Sequence, residues 1–168
     1  MVQESHTLHY FVPSMSAVSA TNNVKGNILV TGGAGYIGSH TVVCLLNDGY
    51  DITIVDNLVN ANEICIARIK ELTGADDSRL RFFNVDLCNE VELEKVFQNL
   101  PTFQCCIHFA ALKAVGESVK LPLKYYQNNL GGTFNLIGLM DKYGCKSFVY
   151  SSSATVSSTY LNVNNCSN

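Results

Sequence analysis

The chain has no tryptophan and only three prolines, and only 15% of its 168 residues are charged. Its eleven Lys and Arg are scattered and outnumbered by fourteen acids, for a net charge of -3, so no basic field exists to hold nucleic acid or an anionic membrane. No run of about 18 apolar residues occurs, which excludes a membrane-spanning helix. Residues 1–26 contain no Arg, and their longest apolar stretch is Tyr10 to Val12. These residues suggest neither a mitochondrial presequence nor a secretory signal, so a disordered leader and a cytoplasmic protein are expected. The seven cysteines include no Cys-x-x-Cys pair, and none of His6, His9, His40 or His108 is spaced to complete a metal site. No metal is expected, and the thiols read as buried and reduced.

What is present is apolar, at 47% of residues, and of one domain's length, enough to fold around one core. Asn27 to Thr31 reads as a buried strand, followed by the turn Gly32-Gly33-Ala34-Gly35-Tyr36-Ile37-Gly38 and a helix through Val42, Val43, Leu45 and Leu46. Gly32, Gly35 and Gly38 suit a tight turn, close approach of backbone to a pyrophosphate, and close packing of helix on strand. Asp51 to Asp56 is a second strand ending in an acid 18 residues beyond Gly38. A dinucleotide fold places its ribose-binding carboxylate at about 20; the alternative for Asp56 is a cap of the next element. A carboxylate there accepts from both ribose hydroxyls and repels a 2′-phosphate, and no Arg or Lys lies between Asp51 and Ala67, so NAD is expected over NADP.

Ile64, Ala67, Ile69 and Leu72 mark a second helix ending at Gly74, and Arg79 to Leu87 a third strand. Asp86 could face adenine or cap the next helix, which runs through Val91, Leu93, Val96 and Phe97. Phe103 to Ala111 is a fourth strand whose nearly continuous apolar character predicts burial on both faces. His108 within it reads as a satisfied core histidine, and Lys113 beyond it as solvated. A long helix is predicted from about Pro122 to Tyr143, with Leu130, Phe134, Ile137 and Leu139 inside and Gly144 as its stop. Asn128, near its start, could bind a cofactor or tie down a loop. Lys146 to Tyr150 is a fifth strand, leading into Ser151-Ser152-Ser153 at the edge where open α/β sheets bind ligands. Five strands alternating with helices predict a doubly wound parallel α/β sheet, a Rossmann-type NAD-binding domain over residues 27–156.

Thr-Gly-Gly-Ala-Gly-Tyr-Ile-Gly-Ser-His (31 to 40), Val-Asp-Asn (55 to 57), His-Phe-Ala-Ala-Leu-Lys-Ala-Val-Gly-Glu-Ser-Val (108 to 119) and Ser-Ser-Ser-Ala-Thr-Val (151 to 156) together resemble the UDP-glucose 4-epimerases of the extended short-chain dehydrogenase/reductase family. The glycine turn alone indicates the superfamily; Leu-Lys-Ala-Val-Gly-Glu-Ser with the triple serine narrows it. The resemblance implies NAD as cofactor, with Tyr36 and Ile37 over its pyrophosphate. Asp56, Asn57, Leu58, Val59, Asn60 and Ala61 would lie around the adenosine ribose, with Asp86 and Leu87 beside adenine. Phe109, Ala110, Ala111, Leu112, Lys113 and Asn128 would line the nicotinamide half. Ser153 matches the serine that hydrogen-bonds the sugar 4-hydroxyl beside a catalytic tyrosine. Partners implied are UDP-glucose and UDP-galactose, and a second copy paired through the long helix.

In that family a Tyr-x-x-x-Lys about 25 residues beyond the serine takes the 4-hydroxyl proton. No tyrosine of this sequence has a lysine four residues on, and Tyr160 is followed by Asn164. Residues 157–168 read as unrelated sequence, from a frameshift, an intron read through or an alternative end. The expectation is an epimerase's cofactor domain truncated after the fifth strand, without the sugar-binding half, inactive alone and poorly soluble. The alternatives are a non-catalytic NAD-binding isoform or another nucleotide-sugar epimerase or dehydratase.

Overall fold

The structure is a computed structural model and describes residues 24–152. The predicted leader, the tail and Ser153 lie outside the described residues, except for Val24 to Gly26. Five strands form one parallel sheet in the order β3-β2-β1-β4-β5: β1 Asn27–Thr31, β2 Asp51–Asp56, β3 Leu80–Asn84, β4 Cys105–His108 and β5 Ser147–Tyr150. β1 is central, paired with β2 from Asn27↔Asp51 and with β4 from Ile28↔Cys105. All five of its residues are buried, the apolar Ile28, Leu29 and Val30 in the middle and the polar Asn27 and Thr31 at its ends.

The period of two along the strands sorts side chains between two layers. Ile28 and Val30 join Ile52, Ile54 and Leu80 beneath α1 (Tyr36–Asn47) and α2 (Ile64–Thr73), which supply Val42, Leu46, Ile66 and Ile69. Leu29, Val55 and Cys106 face the other way, beneath α3 (Glu90–Gln98) with Leu93, Val96 and Phe97. The segment after β4 breaks at Leu121, and the helix predicted from Pro122 then runs unbroken to Lys142 with one stretch of π geometry within it. The whole segment comprises α4 (Val115–Lys120), α5 (Pro122–Tyr126), a π-turn (Gln127–Gly131) and α6 (Gly132–Lys142), and α6 completes the second layer with Leu136, Leu139 and Met140.

Apart from α4, which the sequence does not predict, the elements fall where expected, but several faces do not. Leu130, Phe134 and Ile137 are exposed, and only Leu139 of the predicted inner set is buried. This segment is apolar on two sides, and the sheet takes the side carrying Gly132. A Cβ there would stand 2.9 Å from the Leu87 Cβ, so glycine lets α6 approach the loop after β3 closely. In α2, Ile64, Ala67 and Leu72 are exposed while Ile66 and Ile69 dock on the sheet. Val91 is likewise outside in α3.

β4 is shorter than predicted and buried on one face only: Cys106 and His108 are enclosed, whereas Cys105 and Ile107 are half-exposed because no described helix covers them. The thiols are not uniformly buried either. Cys44 and Cys88 are exposed, Cys65 and Cys105 half-buried, and Cys106 and Cys145 enclosed.

Candidate functional site

The chain leaves β1 toward β2 on one side and reaches β4 on the other, so the carboxyl ends of β1 and β4 diverge and open a crevice. A cleft of about 530 Å³ lies there, within the range of small-molecule sites. Its floor is the glycine turn. Gly32 has φ of 69°, in the left-handed region, and its N–H donates to the Val55 carbonyl at 2.8 Å. A Cβ on Gly38 would stand 2.3 Å from the Gly32 carbonyl oxygen, so the start of α1 can press onto the turn only as glycine. The helix opens after Gly35 with no side-chain cap and no acid in its first turn. Its first N–H groups, at Tyr36, Ile37 and Gly38, have no intrahelical partner, and the helix dipole adds positive potential where they point.

Asp56 ends β2 beside this turn and is 6% exposed. Its Oδ2 accepts from the Ala34 N–H at 3.0 Å and its Oδ1 from the Leu58 N–H at 2.9 Å, so it braces the glycine turn and the following loop together. Each oxygen keeps a second lone-pair direction for another donor. Asn57, Val59 and Asn60 line the cleft beyond it, but Leu58 and Ala61 do not. Both pack from behind against the core under α1 and α2, and Leu58 takes φ of 58° to do so. Asp86 Oδ2 accepts from Asn57 Nδ2 at 3.1 Å and its Oδ1 from the Cys88 N–H. Asp86 does not cap α3; Asn89 does, accepting from the Glu92 N–H. Leu87 lines the cleft beside it.

On the β4 side the wall is Phe109 to Lys113, with Lys113 as the one cation among the described lining residues. Asn128 lines this wall from the π-turn and donates through Nδ2 to Asn129 Oδ1 at 2.9 Å. Asn129, which sequence reasoning missed, is what holds the wall: its Oδ1 accepts from the Leu112 N–H at 2.8 Å and its Nδ2 donates to the Leu112 carbonyl at 3.0 Å. A second polar residue beside Asn128 was the only signal for it. Val55, Val85, Tyr150, Ser151 and Ser152 also reach the cleft.

His108 lies just beneath the wall, 3% exposed, with hydroxyl partners on both ring nitrogens. Burial pushes its pKa down to about 4, so it is neutral at physiological pH. The sequence reading of His108 as a satisfied core residue therefore holds. The Gly-Glu-Ser segment is held from α5: Glu117 accepts from Lys124 Nζ and from the Tyr125 hydroxyl, both at 2.8 Å. Those two donors hold the Glu117 carboxyl below the ordinary carboxylate range. Among the described residues no group of three or more His, Cys, Asp or Glu could hold a metal ion.

Comparison with known proteins gives this cleft its context. Residues 28–163 match the family model described as NAD dependent epimerase/dehydratase family. The UDP-glucose 4-epimerase of Schizosaccharomyces pombe is 57% identical over 132 residues, which are 79% of this chain and 36% of that protein. The UDP-glucose 4-epimerase of Bacillus subtilis is 57% identical over 129 residues, 77% of this chain and 37% of that one. A crystal structure of UDP-glucose 4-epimerase from Bifidobacterium longum in complex with NAD+ and UDP superposes with a TM-score of 0.73 at 44% identity, covering 77% of this chain and 38% of that one. A Thermus thermophilus UDP-glucose 4-epimerase in complex with NAD matches with a TM-score of 0.65 at 34% identity, over 76% of this chain and 37% of that one. The chain thus spans little more than a third of the length of these relatives, and on the matched 136 residues it belongs to the NAD-dependent epimerase/dehydratase family.

Proposed function

We propose that this cleft holds NAD and forms the cofactor half of a UDP-glucose 4-epimerase. The observation that carries the reading is the buried Asp56, bonded to the glycine turn while it faces the cleft beside a helix start with free N–H groups. The residues present fit the dinucleotide in order across the sheet edge. The N–H groups of Tyr36, Ile37 and Gly38 receive the pyrophosphate, and Asp56 accepts from the ribose hydroxyls. Asn57, Val59 and Asn60 enclose the adenosine, shaped from behind by Leu58 and Ala61. Asp86 accepts from the adenine amine, with Leu87 against the ring. On the far side of the switch point, Phe109 to Lys113 and Asn128 enclose the nicotinamide half.

NAD bound here would supply the hydride acceptor and donor needed to invert a sugar carbon through its ketone. The chain's own residues bind, orient and exclude water. Ser153, matched to the serine that holds the sugar 4-hydroxyl, is proposed to steady that hydroxyl. UDP-glucose and UDP-galactose are proposed as the substrates of the whole protein. A second copy is proposed to pack on the exposed stripe of the α5–α6 segment. Because the 168-residue sequence contains no Tyr-x-x-x-Lys, it is proposed to bind NAD without epimerising UDP-galactose.

Calorimetric titration of the 168-residue chain with NAD and with NADP tests the reading, alongside Asp56→Asn. NAD should bind at least about tenfold more tightly than NADP, and Asp56→Asn should reduce that preference by about tenfold through loss of the charge facing the 2′ position. Equal binding of the two dinucleotides would overturn the assignment of Asp56. Turnover of UDP-galactose by this chain would overturn the proposed inactivity.

A further inference from the structure

Three hydroxyl and imidazole protons beneath the cleft have only one consistent arrangement. Thr133 Oγ1 lies 2.6 Å from the Asn129 carbonyl oxygen, an acceptor only, so the Thr133 proton is committed there. Thr133 must therefore accept from His108 Nε2, 3.0 Å away, which makes Nε2 the protonated nitrogen. Nδ1 is then a bare lone pair and accepts from the Thr31 hydroxyl at 2.6 Å. Thr31 immediately precedes Gly32 of the glycine turn. At the other end, Asn129 fixes both main-chain groups of Leu112 in the opposite wall.

We propose that His108 is a positioning residue for the cofactor: as the neutral Nε2–H tautomer it ties the glycine turn, through Thr31, to the π-turn and the Leu112 wall, through Thr133 and Asn129. It touches no ligand. Its effect falls on the β4 side of the crevice, the side away from Asp56, where the nicotinamide half of a dinucleotide lies. The inference rests on the NAD reading and adds to it a residue that sets the spacing of the two halves. Phe148 and Tyr150, whose rings lie 5.9 and 5.5 Å from the imidazole, pack against its face and leave the ring little freedom to turn.

The test compares NAD with ADP-ribose, which lacks nicotinamide, on the full 168-residue chain. His108→Asn keeps an acceptor near the Nδ1 position and loses the donor toward Thr133; His108→Gln keeps a donor near Nε2. Thr133→Val breaks the next link. The tighter binding of NAD relative to ADP-ribose should shrink about tenfold in His108→Asn and in Thr133→Val, and His108→Gln should restore most of it. ADP-ribose affinity should stay within about threefold throughout. An equal loss of both ligands in the folded variants would make His108 merely structural and overturn the proposal, as would no loss of either. A wild-type chain that binds neither ligand would overturn the NAD reading itself. Independently of any ligand, nitrogen-15 NMR of the imidazole should show Nε2 protonated and Nδ1 bare from pH 6 to 8 (about two units above the folded pKa). The reverse tautomer would overturn the hydrogen-bond chain.

Discussion

At the scale of single residues, His108 makes stability depend on pH in a direction that can be worked out. Its folded pKa of about 4 lies below the ordinary 6.5 because burial disfavours the imidazolium and no charged partner offsets that cost. Between those values the unfolded chain binds more protons than the folded one, so stability falls as pH drops from about 6.5 to about 4 and then levels off for this group. The full difference is up to about 3 kcal/mol. Asp76, held low by Ser78 and Arg79, and Glu94, Glu117 and Asp141, held low by their lysine partners, lose their contributions in a lower window, below the ordinary carboxylate range. Urea unfolding at pH 7 and pH 5 should therefore show a loss that His108→Gln abolishes; an undiminished loss in that variant would assign it to other groups. The placement of Asp56 beside the glycine turn was legible in the sequence because it ends a strand at a set distance along the chain from Gly38. Asn129 was not, because its orientation toward Leu112 depends on the π-turn.

At the scale of elements, the carboxyl end of α1 depends on a residue from another part of the chain. Arg79, just before β3, donates from Nη2 to the carbonyls of Leu46 and Tyr50, both at 2.9 Å, and its Nε lies 3.5 Å from Asp51 Oδ1. The guanidinium thus satisfies carbonyls at and just beyond the helix end and offsets the negative end of its dipole, on the far side of the sheet from the cleft. Arg79→Ala should lower unfolding free energy by about 1 to 2 kcal/mol, with NAD affinity unchanged, as measured by urea titration and calorimetry on the same sample. A coupled loss of NAD affinity would mean that α1 moves as a rigid lever on the glycine turn. Most helices were readable from apolar spacing and their stops, and Gly74, with φ of 67°, ends α2 where the sequence places its end; α4, six residues with none buried, carried no such signal. Which face turns inward was not readable in α2 or α6. Each has apolar residues on two sides, and in α6 the buried side is the one on which Gly132 meets Leu87 of the loop after β3.

At the scale of the whole molecule, the apolar side that the sheet rejects has to be accounted for. Leu123, Tyr126, Leu130, Phe134 and Ile137 are all exposed and recur three or four residues apart, so they share one side of the α5–α6 segment. Single exposed apolar residues are ordinary, but an aligned row of five large ones is the pattern of a surface that pairs with another. A second copy of the chain can present the same row about a twofold axis, so each patch would cover the other. The cleft opens at the strand ends and Phe134 is not among the residues lining it, so such pairing would leave the cleft open. Sedimentation of the chain should show concentration-dependent dimers, and Phe134→Asp should weaken them at least about tenfold by placing a charge in the middle of the row. NAD affinity measured below the dimer dissociation constant should be the same for both proteins. If Phe134→Asp leaves association intact while Val149→Asp, on the half-covered β5 edge, abolishes it, the copies meet along the sheet and the helical row awaits a different partner.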